Sequence, residues 1–332
     1  MPTGNENAIL VTGGAGYIGS HTVLALLASG FRIVVLDDLS TGRREAVPSQ
    51  VPLIEGDIAN ADLVGRVVAE HGIGSVIHFA GSVVVPKSIS DPLRYYENNT
   101  VASRTLIEVC VRNRIDKFIF SSTAAVYGMP ETSPVAETAR TYPINPYGAS
   151  KLMTEWMLRD TAAAHDFRYV ALRYFNVAGA DPEGRTGLSS PNATHLLKIA
   201  CQAAAGLRDR VEVFGDDYDT PDGTCIRDFI HVADLADAHV ATLRYLIEGS
   251  GSNVFNCGYG RGYSVKNVID EVKRVSGVDF EVVISDRRPG DAPGIVADTT
   301  KIGRMLAWRP RYDDLALIIR HALAWEEILK KM

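Results

Sequence analysis

Tyr147 and Lys151 stand four residues apart just behind Pro146, at the start of a pattern that predicts a helix over 146–164. Four residues is about one helical turn, so the two side chains share a face. A free phenol titrates near about 10 and is a poor base at neutral pH. A nearby ammonium stabilises the phenolate. Such a pair could take a hydroxyl proton while the adjoining carbon gives up hydride. YxxxK alone is a weak signal and needs context. The preceding strand ends Ser121-Ser122-Thr123, and hydroxyls there could orient the reacting oxygen. Strand ends are where ligands meet open α/β sheets.

A hydride needs an acceptor, and a second constellation supplies a place for one. Val11-Thr12-Gly13-Gly14-Ala15-Gly16-Tyr17-Ile18-Gly19 follows an apolar run and opens a helical one. Glycines 13, 16 and 19 permit a tight turn, close approach to a pyrophosphate, and close packing of helix on strand. Amides at the helix start then face the phosphates. Asp37 ends the next strand, where a carboxylate can bind both hydroxyls of an adenosine ribose and repel a 2′-phosphate. The set predicts NAD rather than NADP. Asp57, ending a third strand, is a weaker candidate for an adenine contact and reads equally as a helix-entry residue.

These residues need a scaffold. Short apolar runs at 8–12, 32–36, 51–54, 75–80, 117–122 and 169–172 predict strands. Helical patterns lie between them at 20–29 (stopped by Gly30), 60–70 (capped by Asn60), 91–112 and 146–164. Continuous apolar strands alternating with helices imply a parallel sheet covered on both faces. The expected class is α/β: a doubly wound Rossmann-type sheet with a smaller, interwoven C-terminal lobe for substrate. Residues 1–175 would mainly hold the cofactor and 176–332 mainly the substrate, with some segments returning to the first lobe. In the second half 176–191, 216–224 and 287–293 read as loops, and 194–206, 232–248, 264–276 and 314–330 as helices.

Together these motifs resemble the extended short-chain dehydrogenase/reductases. TGxxGxxG is Thr12–Gly19 and YxxxK is Tyr147–Lys151. HFAG (78–81), YYENN (95–99), SSTAAVYG (121–128), NPYGASK (145–151), LRYFNVAGA (172–180) and GTCIRDFIHVADLADAH (223–239) narrow the resemblance to the UDP-glucose 4-epimerase (UDP-galactose 4-epimerase) branch, over essentially the whole chain. The resemblance implies epimerisation at C4 of a UDP-hexose in galactose metabolism. Tyr147 would act as base, Lys151 as ribose contact and pKa modulator, and Thr123 as the catalytic hydroxyl. NAD would take and return the C4 hydride through a transient 4-keto sugar. Further cofactor contacts are implied at Tyr17, Ile18, Ile58, Phe79, Ala80 and Asn98. Substrate contacts are implied at Phe175 and Asn176 for the sugar and at Arg227 and Arg288 for the diphosphate. Asp291 would meet the uridine ribose, His195 and Leu196 the phosphate and uracil, and Ile295 the sugar's C2 substituent. A homodimer through 91–112 and 146–164 is implied as well. Where many relatives carry Lys, two residues after the HFAG glycine, this chain has Val83, with Lys87 following.

Composition narrows the alternatives. The 332 residues are 46% hydrophobic and 22% charged, ordinary for a globular chain, and the net charge of −6 argues against a nucleic-acid partner. Cys110, Cys201, Cys225 and Cys257 are widely spaced, with no metal-ligand pattern and no disulfide framework, as expected of a reducing cytoplasm. Residues 7–31 carry no charge, but glycines interrupt them, so neither a membrane span nor a secretion leader is expected. A sugar-nucleotide dehydratase would need acid and base groups where Ala124 and Ala125 stand. A non-catalytic NAD-binding regulator would not need Tyr147, Lys151 and Thr123 together. Another UDP-sugar 4-epimerase, for UDP-N-acetylglucosamine or a UDP-pentose, stays open. His78 reads as a strand-core residue, His231 and His239 as helix-terminating or helix-lining. Met153, Trp156 and Met157 read as buried packing, within the protein or between subunits.

Overall fold

The computed structural model describes residues 7–190, 194–288 and 291–332. The strands are β1 Ala8–Thr12, β2 Ile33–Asp37, β3 Leu53–Glu55, β4 Ile73–His78, β5 Lys117–Thr123, β6 Arg168–Tyr174 and β7 Asn176–Ala178. They continue as β8 Arg210–Phe214, β9 Ile226–His231, β10 Asn253–Cys257, β11 Gly262–Ser264, β12 Glu281–Ser285 and β13 Gly294–Ile295. The helices are α1 Tyr17–Ala28, α2 Ala61–His71, α3 Val85–Ser90, α4 Pro92–Tyr96, α5 Ala102–Arg112 and α6 Pro146–Ala164. After them come α7 Leu196–Ala204, α8 Val232–Ile247, α9 Val265–Ser276, α10 Thr300–Met305 and α11 Leu315–Leu329.

All five residues of β1 and all five of β2 are buried, because both faces of their sheet are covered. Ile9 and Val11 face one side, with Val23, Leu26, Leu243 and Leu246 of α1 and α8. Ala8 and Leu10 face the other, with Val64, Leu106 and Leu158 of α2, α5 and α6. This is the two-residue period of a strand dividing one apolar run between two cores. The seven-stranded sheet is parallel throughout, in the order β10-β6-β5-β4-β1-β2-β3. Strand order reverses between β1 and β4, and the crevice at that reversal opens at the carboxyl ends.

The remaining strands build a smaller layer. β9 pairs with β7, β11 and β13, while β8 and β12 form a parallel pair. α7, α9 and α11 pack around Cys201, Val213, Val272 and Ile319. β10 and α8, although late in the chain, belong to the large sheet and its cover.

Several local expectations are corrected. α1 begins at Tyr17 rather than Ser20, because Gly16 is already its N-cap. β6 runs on to Tyr174, and β4 stops at His78. The stretch expected as loop from 176 contains β7, whose partner β9 lies some fifty residues on. α3 was not expected, and the single helix expected over 91–112 is α4, a π-helical turn at Glu97–Val101, and α5. Pro191 of one expected loop, and Pro289 and Gly290 of another, lie outside the described residues.

Candidate active site

The turn after β1 is shaped by what its glycines lack. Gly13 has φ +69°, and a Cβ on it would lie 2.6 Å from the Ala80 amide nitrogen. A Cβ on Gly19 would stand 2.2 Å from the Gly13 carbonyl, so α1 can sit this close to the turn only without one. No side chain caps the start of α1, which leaves its first amides to an outside acceptor. Asp37 is buried at the end of β2, where its carboxylate accepts from the Ala15 amide at 2.8 Å and the Leu39 amide at 2.9 Å. Burial raises its pKa, and those two amides pull it back. Each carboxylate oxygen keeps a lone pair for a ribose hydroxyl. A glycine-rich turn, an uncapped helix start and a buried carboxylate fit a dinucleotide.

The other expected cofactor residues are distributed around this turn. Tyr17 donates to the Gly179 carbonyl at 2.7 Å, and Ile18 packs on the core beneath. Ile58 is buried beside Leu36 and Val64, and Asp57 is exposed, its carboxylate accepting from the Ala59 amide at 2.8 Å. Phe79 packs against His239 with ring centroids 4.8 Å apart, and the Ala80 backbone abuts Gly13. Asn98 is exposed and donates to Ser82 Oγ, whereas its neighbour Asn99 is buried. Asn99 accepts from the Ser82 amide at 2.7 Å and donates to Ser150 Oγ at 3.0 Å. Gly81 brings it near Lys151: a Cβ there would meet Asn99 Oδ1 at 2.8 Å and Lys151 Nζ at 3.8 Å. Val83 and Lys87 are both exposed.

Asn145 caps α6 by accepting from the Gly148 amide, and Pro146 occupies its first turn. Tyr147 is half-buried and Lys151 only 2% exposed. Lys151 Nζ donates to the Ser121 carbonyl at 3.0 Å and lies 5.0 Å from the centre of the Phe120 ring. Burial pulls this lysine down to about 8. Burial also raises the Tyr147 phenol, and hydrogen bonding with the Thr123 side chain opposes the rise. Thr123 Oγ1 accepts from the Ala125 amide at 3.1 Å, so β5 ends in a self-capped turn with its hydroxyl fixed.

One turn beyond Lys151, Glu155 accepts two bonds from Arg173, at 3.0 and 2.7 Å, and one from Ser122 Oγ. Arg173 also donates to Tyr127, which donates to Asn256. Neither this buried network nor Asn99 was anticipated. The spacing 147, 151, 155 on one helix face was the available signal.

The expected substrate residues arrive from separate segments. Phe175, buried, and Ile295, half-buried, pack with Ala124, Val126 and Leu152 beside the Thr123 turn. Asn176 lies on β7 opposite Phe229, and Ile295 lies on β13 opposite Arg227. Arg227 donates to the Ala292 carbonyl at 2.8 Å and stands 3.7 Å from Asp291. Arg288 stands 3.8 Å from the same carboxylate, with its guanidinium 3.9 Å over the Phe214 ring. Phe214 was not anticipated either. His195 is the N-cap residue of α7, Leu196 its first residue, and His195 lines a narrow gap with Tyr17 and Gly179.

His78, expected in a strand core, and His231 and His239, expected to end or line helices, have structural partners. His78 is bonded to Thr12 Oγ1 and Ser103 Oγ at 2.7 and 2.8 Å, and His231 caps α8. His239 lies inside α8, bonded to Tyr174. Met153 and Met157 are half-buried, but Trp156 is 46% exposed, so burial within the chain is corrected for it because it points off the outer side of α6. No helix among the described residues is long and apolar enough to cross a membrane.

Residues 9–258 match the NAD dependent epimerase/dehydratase family. The UDP-glucose 4-epimerase of Azospirillum brasilense is 59% identical over 323 residues, 97% of this chain and 93% of that one. The crystal structure of UDP-glucose 4-epimerase from Brucella ovis in complex with NAD matches with TM-score 0.93 at 45% identity, over 96% of this chain and 98% of that one. That of the Bifidobacterium longum enzyme in complex with NAD+ and UDP matches with TM-score 0.92 at 38% identity, over 97% and 98%. With its uncapped Gly-rich turn, buried Asp37 and a Tyr147–Lys151 helix beside Thr123, this chain belongs to the NAD dependent epimerase/dehydratase family.

Proposed function

We propose that this chain is an isomerase that interconverts UDP-galactose and UDP-glucose by epimerisation at C4, with NAD as its resident cofactor, in galactose metabolism. Bound NAD supplies a hydride acceptor that becomes the donor again within one cycle. The chain does the rest. Gly13, Gly16, Gly19 and the amides of Tyr17 and Ile18 hold the pyrophosphate, and Asp37 holds the adenosine ribose. Tyr147 accepts the O4 proton and later returns it, Thr123 orients O4, and buried Lys151 stabilises the phenolate and contacts the second ribose. Arg227 and Arg288 bind the diphosphate, and Asp291 between them takes the uridine ribose. Phe175, Asn176, His195 and Leu196 complete the nucleotide-sugar site. Asn99 is a better candidate than Asn98 for a cofactor-side contact, being buried beside Lys151.

The observation that carries this reading is the meeting of Tyr147, Lys151 and Thr123 at one strand end followed by Ala124 and Ala125. Those groups suffice to remove and restore one proton. They offer no second acid–base pair for dehydration. Turnover of UDP-galactose with no added oxidant or reductant tests it. NADH accumulating in proportion to product would make the chain a net dehydrogenase instead.

In this reading residues 1–175 chiefly serve the cofactor and 176–332 chiefly the substrate. Leu93, Val101 and Trp156 are exposed on α4, the π-helical turn and α6 at 78%, 55% and 46%, which supports a homodimer through that face. Sedimentation as monomer alone at micromolar concentration would remove it. The four buried free cysteines support a cytoplasmic location.

A further inference from the structure

The segment that follows β7 is gripped from two sides. On the cofactor side, Tyr17 donates to the Gly179 carbonyl and Ser20 Oγ bonds Thr186 Oγ1 at 2.8 Å. On the other, the Trp325 indole of α11 lies against Gly187, where a Cβ would come within 2.5 Å of the ring. Next to it, Lys198 Nζ donates to the Leu188 carbonyl at 2.7 Å and to Glu326 Oε1 at 2.5 Å. Lys198 is 6% exposed and Glu326 1%. Among the described residues Glu326 Oε2 and Trp325 Nε1 find no hydrogen-bond partner, and both residues line the same narrow gap as Tyr17, Gly179, Leu188 and His195.

A buried ion pair is weak evidence for stability, since a well-packed apolar pair often serves as well or better. What an apolar pair lacks is a donor for Leu188. Lys198 lies one turn beyond His195 on α7, and helical side chains lean toward their own N-terminus. The ammonium therefore ties the Leu188 carbonyl to the first turn of α7, and Glu326 holds that ammonium in place.

We propose that Lys198 and Glu326 are positioning residues for nucleotide-sugar binding: through Leu188 and α7 they fix His195 relative to the Tyr17 side of the cofactor turn. The proposal rests on the reading of His195 as a phosphate-side residue. In it, α11 controls substrate affinity without contributing any group to the chemistry.

The test is the double variant Lys198→Met/Glu326→Leu, which leaves neither charge buried alone. The expected result is a native-like Tm, unchanged bound NAD and kcat within twofold, with KM for UDP-galactose and Kd for UDP each raised about tenfold. Unchanged UDP affinity at native-like Tm overturns the proposal, because a purely structural pair gives that result. The unaltered holoenzyme gives a second measurement should the variant not fold. Saturating UDP should slow amide exchange in both 196–204 and 315–329, and protection confined to the first overturns the proposal. His195→Ala separates the two ideas. Weakened UDP binding there beside normal binding in the double variant removes the anchor alone. Normal UDP binding in His195→Ala removes the site reading and the anchor with it.

Discussion

Lys151 Nζ donates to the Ser121 carbonyl at 3.0 Å, two residues before Thr123 on the same strand. The helix that carries Tyr147 is thus tied by its own lysine to the strand end that carries Thr123. The same bond buries the ammonium, and burial pulls it down to about 8.

Tyr147→Phe should keep the fold and bound NAD and lose about 100- to 10,000-fold in kcat, the usual contribution of one general base. Phenylalanine keeps the ring and removes only the oxygen. Near-normal turnover in the folded variant would overturn the assignment.

Lys151→Met should move the pH–rate profile toward alkaline values, as the proposed stabilisation of the phenolate by its ammonium requires. Its stability should move the other way from its activity. The folded lysine titrates at about 8 against 10.5 for the free side chain, so between those values the unfolded chain holds more protons. Stability of the parent NAD-free protein therefore rises through that window, and below it the buried charge is a full burden. At pH 7 the variant's Tm should not fall. A marked fall would show that the bond to Ser121 outweighs desolvation.

Arg227→Ala should weaken UDP binding by about 2 kcal/mol through loss of charge-assisted hydrogen bonds. Asp291 would then face Arg288 alone. Titration calorimetry showing unaltered UDP affinity would contradict the phosphate role.

Ile295 packs with Ala124, Leu152 and Phe175 beside the Thr123 turn. UDP-glucose and UDP-galactose should be the best substrates, with slower turnover of UDP-N-acetylglucosamine. Ile295→Tyr should suppress the acetylated substrate far more than UDP-galactose, although pocket changes of this size discriminate by only about 1–3 kcal/mol. Equal loss of both activities, or no acetylated turnover in the parent, would show that Ile295 is no gate.

Acid should destabilise the fold well above the carboxylate range. Burial lowers His21 and His239 to about 4, and His78 and His231 to about 3. A histidine whose folded pKa is depressed stays neutral while its unfolded form takes up a proton below about 6.5. Their contribution is complete above that pH and declines as pH falls toward 4. Four such groups give a slope of about 5 kcal/mol per pH unit near pH 5. A Tm that stays flat from pH 6.5 to 5 would contradict it.

Much of this was legible in the residues themselves. Local patterns sufficed where the physics is local. Asn145-Pro146 announces α6, Asn60 announces α2, and the apolar runs of β1 and β2 announce buried parallel strands. Gly13 and Gly19 were readable because a tight turn packed this closely demands a residue without a Cβ at each place, and Asp37 because its place at the end of β2 follows from the strand pattern. Tertiary structure alone decided the rest. β7, β9, β11 and β13 are two to six residues long, and their stability comes from partners far along the chain, which no short window reveals. Asn98 and Asn99 are indistinguishable as letters, and the π-helical turn selects which one is buried beside Lys151. Glu155 with Arg173, and Lys198 with Glu326, are pairs only because separate elements fold together around them. Two opposite charges share an interior only where separate elements bring them together, and that meeting is a property of the packed structure rather than of the sequence around either residue.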